Sequence, residues 1–221
     1  MNGADLTHID TWVFDLDNTL YPLESGVAEQ ASKGITDFVV KLTGASPEAA
    51  HALQKRYLAD YGLTLGGLMR HHDVDPATFH ASLHDISLDG LTASPELRAA
   101  IARLPGRRLI FTNADARHTE RVLERLALGD LFDGVFHIGS SDFVPKPAPS
   151  AYGAFVAAHA IEPRATAFFE DSERNLEPAA ALGMTTALVG AHAAASSAPF
   201  VDYRIHHLAP FLAAARVKES R

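Results

Sequence analysis

The chain has 221 residues, of which 47% are hydrophobic and 21% are charged, and its formal net charge is −8 at pH 7. This length allows one sizeable core with or without a small accessory domain, the acidic balance argues against a nucleic-acid partner, and the lack of cysteine excludes disulfides and thiolate metal sites. Because no stretch approaches the length of a membrane span and the first residues do not resemble a leader, we expect a cytoplasmic enzyme or binding protein without a membrane partner.

The first element is the apolar run at residues 12–14, which predicts a short buried strand and is followed by Asp15 and Asp17. Residues two apart on a strand point in the same direction, so both carboxylates could reach one site. Taken alone, the pair is explained more simply as a loop of solvated acids. A calcium-binding loop is excluded, because Leu20 and Gly26 stand where such a loop needs Gly and Glu.

Residues 22–93 show helical patterns and no candidate strand. Apolar residues recur at helical spacing over 27–42, and caps predict further helices from Ser46 to Gly62 and from Asp75 to Leu83. A helical segment of this length inserted after a single strand predicts a separate, all-helical domain.

From Ser94 onwards, strand and helix patterns alternate. Helices are predicted at 94–104, 115–128, 149–160, 173–182 and the C-terminus, and strands at 107–113, 135–138, 165–171, 185–190 and, at an edge, 201–205. This alternation predicts an α/β fold, a doubly wound, Rossmann-like parallel sheet with helices on both faces. Residues 1–21 and 94–221 would form this core, with 22–93 as the inserted helical domain.

Polar residues follow several predicted strands, at the edge where the carboxyl ends of parallel strands meet and where such sheets bind ligands. Besides the two aspartates after the first strand, they are Thr112 with Asn113, Lys146 between two prolines, and Glu170 with Asp171. Each group alone has an ordinary explanation, a helix cap for the two pairs and a solvated side chain for the lysine. Together they predict one site at one edge of the sheet.

The charges indicate what such a site could do. Converging carboxylates repel one another, and removing each from water is costly. The lysine offsets one negative charge, and a hard divalent cation with oxygen ligands, such as Mg²⁺, would offset two more. This combination suits phosphoryl transfer, in which one carboxylate attacks phosphorus and another protonates the leaving alkoxide and then activates water.

The ordered set of Asp-x-Asp-x-Thr at 15–19, Thr112, Lys146 and the acidic pair at 170–171 resembles the four motifs of the haloacid dehalogenase-like hydrolases. The resemblance extends to about Gly190. It implies that Asp15 is the nucleophile, that Asp17 is the general acid/base and that Mg²⁺ is the cofactor. It also implies that residues 22–93 are a cap that closes over the substrate.

The same resemblance implies further roles. Thr112 and the amide of Asn113 would hold the phosphate, and Lys146 would bridge the nucleophile and the phosphoryl group. The metal would be bound by Asp15, the backbone carbonyl of Asp17, Asp171, and Glu170 either directly or through water. Relatives often have Asp at position 170, so the departure there concerns only which acid contacts the metal.

Asp17 favours phosphate-ester chemistry, because family members without a second aspartate include the dehalogenases. Four stretches resemble the pyrimidine 5′-nucleotidase-type subgroup, which acts on nucleoside monophosphates such as UMP and CMP: residues 15–22, 61–68, 83–85 and 111–126. Substrate contacts in the cap would then come from Tyr61, Gly62, His84 and Asp85. Cap packing for the tyrosine and surface exposure for the others are the alternative explanations.

Other functions fit the same residues. A sugar phosphomutase would share every core residue, and phosphatases of sugar phosphates or phosphoglycolate would use the same scaffold. A non-enzymatic receiver domain also clusters acids, Thr and Lys on a parallel sheet, but the inserted helical segment argues against it. We expect a small phosphate ester as the substrate, and a monomer or homodimer as the working form.

Overall fold

The computed structural model describes residues 3–218 and contains a six-stranded parallel sheet with the order β3-β2-β1-β4-β5-β6. The strands are β1 (Thr11–Phe14), β2 (Arg107–Phe111), β3 (Gly134–Phe136), β4 (Thr166–Glu170), β5 (Thr185–Val189) and β6 (Tyr203–Ile205). The predicted α/β fold class is confirmed.

The strand β1 lies between β2 and β4, and its register fixes where the polar residues meet. Phe14 at the end of β1 is opposite Ile110 in β2 and Phe169 in β4. All four residues of β1 are buried, as expected for an apolar strand in the middle of a parallel sheet. The residues that follow the three strands therefore leave the sheet side by side.

Helices cover both faces of the sheet. Trp12 and Phe14 point into one hydrophobic cluster and Val13 into the other, as the alternation of side chains along a strand requires. The first cluster is closed by α5 (Pro95–Ala102), α6 (Ala116–Arg125) and α9 (Leu208–Ala214), and the second by α7 (Pro149–His159) and α8 (Glu173–Ala181). The helical layers bury β1 and β4 completely. The polar side chains of these two central strands therefore lie at the strand ends.

Between β1 and α5 the chain forms α1 (Val27–Thr43), α2 (Pro47–Tyr61), α3 (Thr64–His72) and α4 (Pro76–Ala81), and none of the residues 22–93 forms a strand. The caps act as the sequence predicts: Ser46 accepts a hydrogen bond from Ala49 N at 3.3 Å, and Asp75 accepts one from Thr78 N at 2.9 Å. These helices have a hydrophobic cluster of their own, which includes Val39, Tyr57, Leu68 and Phe79. This separate cluster supports the predicted helical domain.

The helix α3 is not predicted as a separate element. Its N-cap residue, Leu63, makes no side-chain capping hydrogen bond, and the adjacent glycines at 66 and 67 lower helix propensity. The predicted strand at 135–138 is also shorter, because residues 138–141 form a 3-10 turn.

The boundaries of the two domains stay a prediction, and residues 1–2 and 219–221 of the predicted core lie outside the described part of the chain. Within residues 3–218, no helix is both long enough and apolar enough to cross a bilayer.

Candidate active site

Lys146 lies at the centre of the site. Its ammonium donates hydrogen bonds of 2.7 Å to Asp15 Oδ1, to Glu170 Oε2 and to the carbonyl of Phe111, and its side chain is only 1% exposed. Burial alone would lower the pKa of Lys146, but the charges of the two carboxylates outweigh this effect and raise it. The lysine is therefore held as a cation between acids from two strands.

The loop that carries Lys146 is attached to the end of β2. Lys146 N donates to Asn113 Oδ1 at 2.8 Å, and Asn113 Nδ2 donates to Lys146 O at 3.1 Å. Thr112 is buried next to this contact, and its hydroxyl accepts a hydrogen bond from Ala114 N at 3.0 Å. The two residues predicted to hold phosphate thus lie where the lysine enters the site.

Asp15 is held through both of its carboxylate oxygens. Thr19 Oγ1 donates to Oδ2 at 3.2 Å, and Lys146 occupies Oδ1. The backbone N–H of Asp15 donates to Phe169 O at 2.9 Å, which fixes the residue at the end of the sheet. Burial raises the pKa of Asp15 to about 7, and the charge of Glu170 adds to this increase, although Lys146 opposes it.

Asp15, Glu170 and Asp171 each offer a carboxylate oxygen, and these oxygens lie within 4.8 Å of one another. Burial is the largest cause that raises the pKa of Glu170 to about 7 and of Asp171 to about 6. One lysine cannot balance three ionised carboxylates in this space. The oxygen donor set and its excess negative charge fit a hard divalent cation such as Mg²⁺.

The carboxylate of Asp17 does not join this group. His118 Nε2 donates to Asp17 Oδ1 at 2.8 Å, and the Tyr21 hydroxyl donates to the same oxygen. Burial acts to raise the pKa of Asp17, but the hydrogen bond and charge of His118 outweigh it and hold the pKa below its usual range. For His118, burial acts to lower the pKa, and the contact with Asp17 raises it. The predicted metal contact through the backbone carbonyl of Asp17 stays a prediction.

Sequence analysis missed His118 and Tyr21. The position of His118 in the sequence could have indicated its role. His118 lies in the first turn of the helix that follows β2, three residues after the N-cap Asp115. That turn borders the edge of the sheet where the polar residues meet.

A cavity of about 430 Å³ lies between the sheet edge and the helices of residues 22–93. The wall formed by the core includes Asp17, Asn113 and His118. The wall formed by the helices is mostly apolar and includes Ile35, Leu58, Leu65, Phe79 and Leu83. It also carries the polar side chains of Gln54, Lys55 and His80. His80 Nδ1 lies 3.2 Å from Asp115 Oδ2, which joins the helical segment to the core at the cavity wall. The cavity can therefore hold a small molecule next to Asp17.

None of the four substrate contacts predicted in the cap, Tyr61, Gly62, His84 and Asp85, is among the residues that line this cavity. The Tyr61 hydroxyl bonds to His71 Nε2 at 2.6 Å, and the Tyr61 ring packs against Tyr57. His84 and Asp85 line a separate surface groove, where His84 Nδ1 accepts a hydrogen bond from Arg117 at 3.0 Å. In this structure the three side chains lie outside the cavity beside Asp17, and their roles as substrate contacts stay a prediction.

Gly62 lies at the sheet edge. A Cβ at Gly62 would lie 3.2 Å from the Pro145 ring and 3.4 Å from Lys146 O, and its φ of +79° is in the left-handed region. Its position ends α2 and allows the helical segment to approach the lysine loop closely.

These features define a Rossmann-like α/β protein with an acidic site at one edge of its parallel sheet. A profile of the haloacid dehalogenase-like hydrolase family matches residues 9–183, and the chain belongs to this family. The predicted family membership is confirmed, while the nucleotidase-type subgroup stays a prediction.

Among known proteins, the chain is similar to Phosphate metabolism protein 8 of Saccharomyces cerevisiae, with 28% identity over 187 residues. The alignment covers 77% of this chain but only 58% of that protein, so the chain spans little more than half the length of this relative. Similar folds occur in a phosphatase of the same family from Thermococcus onnurineus (TM-score 0.60, 19% identity, 90% of this chain and 94% of that one). They also occur in L-2-haloacid dehalogenase from Xanthobacter autotrophicus (TM-score 0.52, 20% identity, 93% and 87%). At 19–20% identity, the similarity to these two solved structures shows a shared fold and nothing about activity.

Proposed function

We propose that this hydrolase is a Mg²⁺-dependent phosphomonoesterase that acts on a small phosphate ester through a phospho-Asp15 intermediate. The observation that carries the proposal is the position of Asp15 at the end of β1, between the buried ammonium of Lys146 and the hydroxyl of Thr19. A carboxylate held in this way is oriented for attack and borders the acids that could share a cation with it.

In the first step, a carboxylate oxygen of Asp15 attacks phosphorus, and the bond from phosphorus to the ester oxygen breaks. Asp17, as the carboxylic acid, gives its proton to the leaving oxygen. The arriving phosphate dianion favours that protonated form, because a nearby negative charge raises the pKa of a carboxyl group. Lys146 would neutralise part of the charge that builds up on the phosphoryl group.

In the second step, the Asp17 carboxylate removes a proton from water, and the water oxygen attacks phosphorus. The bond between phosphorus and Asp15 breaks, which releases inorganic phosphate and returns Asp17 to its protonated form. Asp15, Glu170 and Asp171 would hold Mg²⁺, which supplies charge neutralisation to the phosphoryl group.

We propose a nucleoside 5′-monophosphate as the substrate, as in the pyrimidine 5′-nucleotidase-type subgroup. The subgroup resemblance supports this choice, and a cavity of about 430 Å³ with apolar walls beside Asp17 is compatible with a base and a sugar. Phosphate release from a panel of nucleoside monophosphates, sugar phosphates and phosphoglycolate tests it. A preference for sugar phosphates, or isomer formation without phosphate release, would contradict it.

The covalent step is tested by Asp15→Asn. We expect complete loss of turnover with an unchanged circular dichroism spectrum, because the amide cannot attack phosphorus. Asp10→Asn is the matched control. Asp10 lies just before the first residue of β1, at the end of the strand away from the site, and its side chain is 55% exposed. This variant should keep wild-type activity. Retained activity in Asp15→Asn would remove the covalent mechanism.

The proposed metal is tested by chelation. EDTA should stop phosphate release and added Mg²⁺ should restore it. A reaction that proceeds at the same rate in EDTA would exclude the metal.

A further inference from the structure

The hydrogen bonds to Asp17 are asymmetric. His118 Nε2, at 2.8 Å, and the Tyr21 hydroxyl both donate to Oδ1, and no hydrogen bond from any of residues 3–218 ends on Oδ2. The Asp17 side chain is 35% exposed and lines the cavity, whereas the side chain of His118 is 16% exposed. Oδ2 is therefore the oxygen that is free to contact a molecule in the cavity.

The backbone of His118 is also fixed. Its N–H donates to Asp115 Oδ1 at 3.0 Å, because Asp115 is the N-cap of α6. The next residue, Thr119, is buried, and its hydroxyl donates to Asp115 O at 2.8 Å. These contacts order the first turn of α6, which carries the imidazole, and the burial of Thr119 shows that this turn packs against the core.

We infer that His118 is a positioning residue for proton transfer: together with Tyr21 it fixes Oδ1 of Asp17 and thereby directs Oδ2 towards the leaving-group oxygen. This inference depends on the proposed function, since it assigns a role in the same reaction. A carboxyl group rotates easily about its last side-chain torsion, so hydrogen bonds to a single oxygen select one orientation. General acid catalysis needs such a restriction, because the acid must lie within hydrogen-bond reach of the oxygen that it protonates.

The proton balance of the reaction provides a selective test. When Asp15 attacks a nucleoside monophosphate, the leaving alkoxide must take the Asp17 proton as its bond to phosphorus breaks. When the substrate is p-nitrophenyl phosphate, the leaving nitrophenolate is a stable anion and needs no proton. A loss of Asp17 orientation should therefore slow the first step for the alkyl ester and leave it nearly unchanged for the aryl ester.

The experiment compares first-turnover rates of wild type and His118→Ala with UMP and with p-nitrophenyl phosphate. We expect a loss of about 100-fold with UMP, at the lower end of the range for general acid catalysis, and less than about 3-fold in the nitrophenolate burst. His159→Ala is the matched control: His159 is also partly buried, but it ends α7 and packs against Phe136 and Phe155. It should be neutral with both substrates.

His118→Gln separates positioning from folding, because its amide can still donate a hydrogen bond. Its rate with UMP should lie within about 10-fold of wild type, since the amide can replace the donor to Oδ1 that His118→Ala removes, while Tyr21 is kept in both variants. It also provides the measurement if His118→Ala fails to fold by circular dichroism, and its remaining loss should again be larger with UMP than with the aryl ester.

The outcomes are distinct. Equal losses with both esters, or no loss with either, would overturn the inference and leave the proposed function standing. If the wild-type protein releases phosphate from p-nitrophenyl phosphate but not from UMP, the proposed nucleotide substrate is contradicted and the proposed phosphomonoesterase activity stands. The comparison of wild type with His118→Ala is then made with glycerol phosphate as the alkyl ester. A wild-type protein inactive on every ester would overturn the proposed function, and the inference with it.

Discussion

Lys146 links the stability of this protein to its proposed chemistry. A buried ammonium is costly unless it is paired, and here it is surrounded by Asp15, Glu170 and a backbone carbonyl. The same contacts orient the proposed nucleophile. Under the proposed function, stability and activity therefore depend on the same ion pairs.

Replacing Lys146 by Met should abolish activity and destabilise the protein by about 3–5 kcal/mol at pH 8, because two buried carboxylates lose their partner. The loss should be smaller at pH 5, where Asp15 and Glu170, whose pKa values are raised to about 7, bind protons instead. Urea unfolding at both pH values measures this difference. Lys33→Met is the control, since Lys33 forms an exposed pair with Asp37 and should change stability by less than about 1 kcal/mol. An equal loss for the two variants would contradict the prediction.

At the level of elements, α2 and α3 pack closely because α3 lacks side chains where it crosses Tyr57. A Cβ at Gly67 would lie 2.2 Å from the Tyr57 ring, which is far too close for an unshifted contact. The two glycines weaken α3 as an isolated helix, but Gly67 permits the approach that stabilises it in the folded protein.

Gly67→Ala should therefore destabilise the protein by about 1–3 kcal/mol through overpacking. Gly153→Ala is the matched control: it is also in a helix, and a Cβ there would have no neighbour within 4 Å. That variant should be stabilised by about 0.5–1 kcal/mol, because alanine favours the helix. Urea unfolding followed by circular dichroism measures both, and a stabilised Gly67→Ala would refute close packing at this position.

At the level of the whole molecule, the acid cluster links stability, pH and metal. Asp15, Glu170 and Asp171 have pKa values raised to about 7, 7 and 6, above those of unfolded carboxyl groups. The folded metal-free protein thus binds more protons than the unfolded chain between about pH 4 and pH 7, and the contribution of these groups to stability falls as the pH rises through this range. A divalent cation would offset the charges that appear.

We expect the increase in melting temperature caused by Mg²⁺ to be larger at pH 7.5 than at pH 5, because the metal competes with protons for the same carboxylates. Thermal unfolding in EDTA and in excess Mg²⁺ at each pH measures this effect. Asp171→Asn should reduce the increase at pH 7.5, whereas Asp10→Asn should not. An Mg²⁺ effect that is the same at both pH values would contradict the cluster as the binding site.

Much of the fold and part of the site could be predicted from sequence because they depend on local patterns. The apolar run before Asp15 and the later alternation of strands and helices predict a parallel sheet, and the topology of such a sheet brings Asp15, Lys146 and Glu170 to one edge. The family resemblance depends on the same residues. No knowledge of packing was needed for these steps.

Contacts between distant parts of the chain determine what surrounds Asp17 and which residues face the cavity. His118 is 101 positions from Asp17 in the sequence, and no local pattern relates the two residues. The resemblance implies a substrate contact for Tyr61, and this role stays a prediction, while long-range packing places its hydroxyl 2.6 Å from His71 Nε2. Periodicity determines that a helix has a buried face, whereas the contacts of all its neighbours determine where that face points.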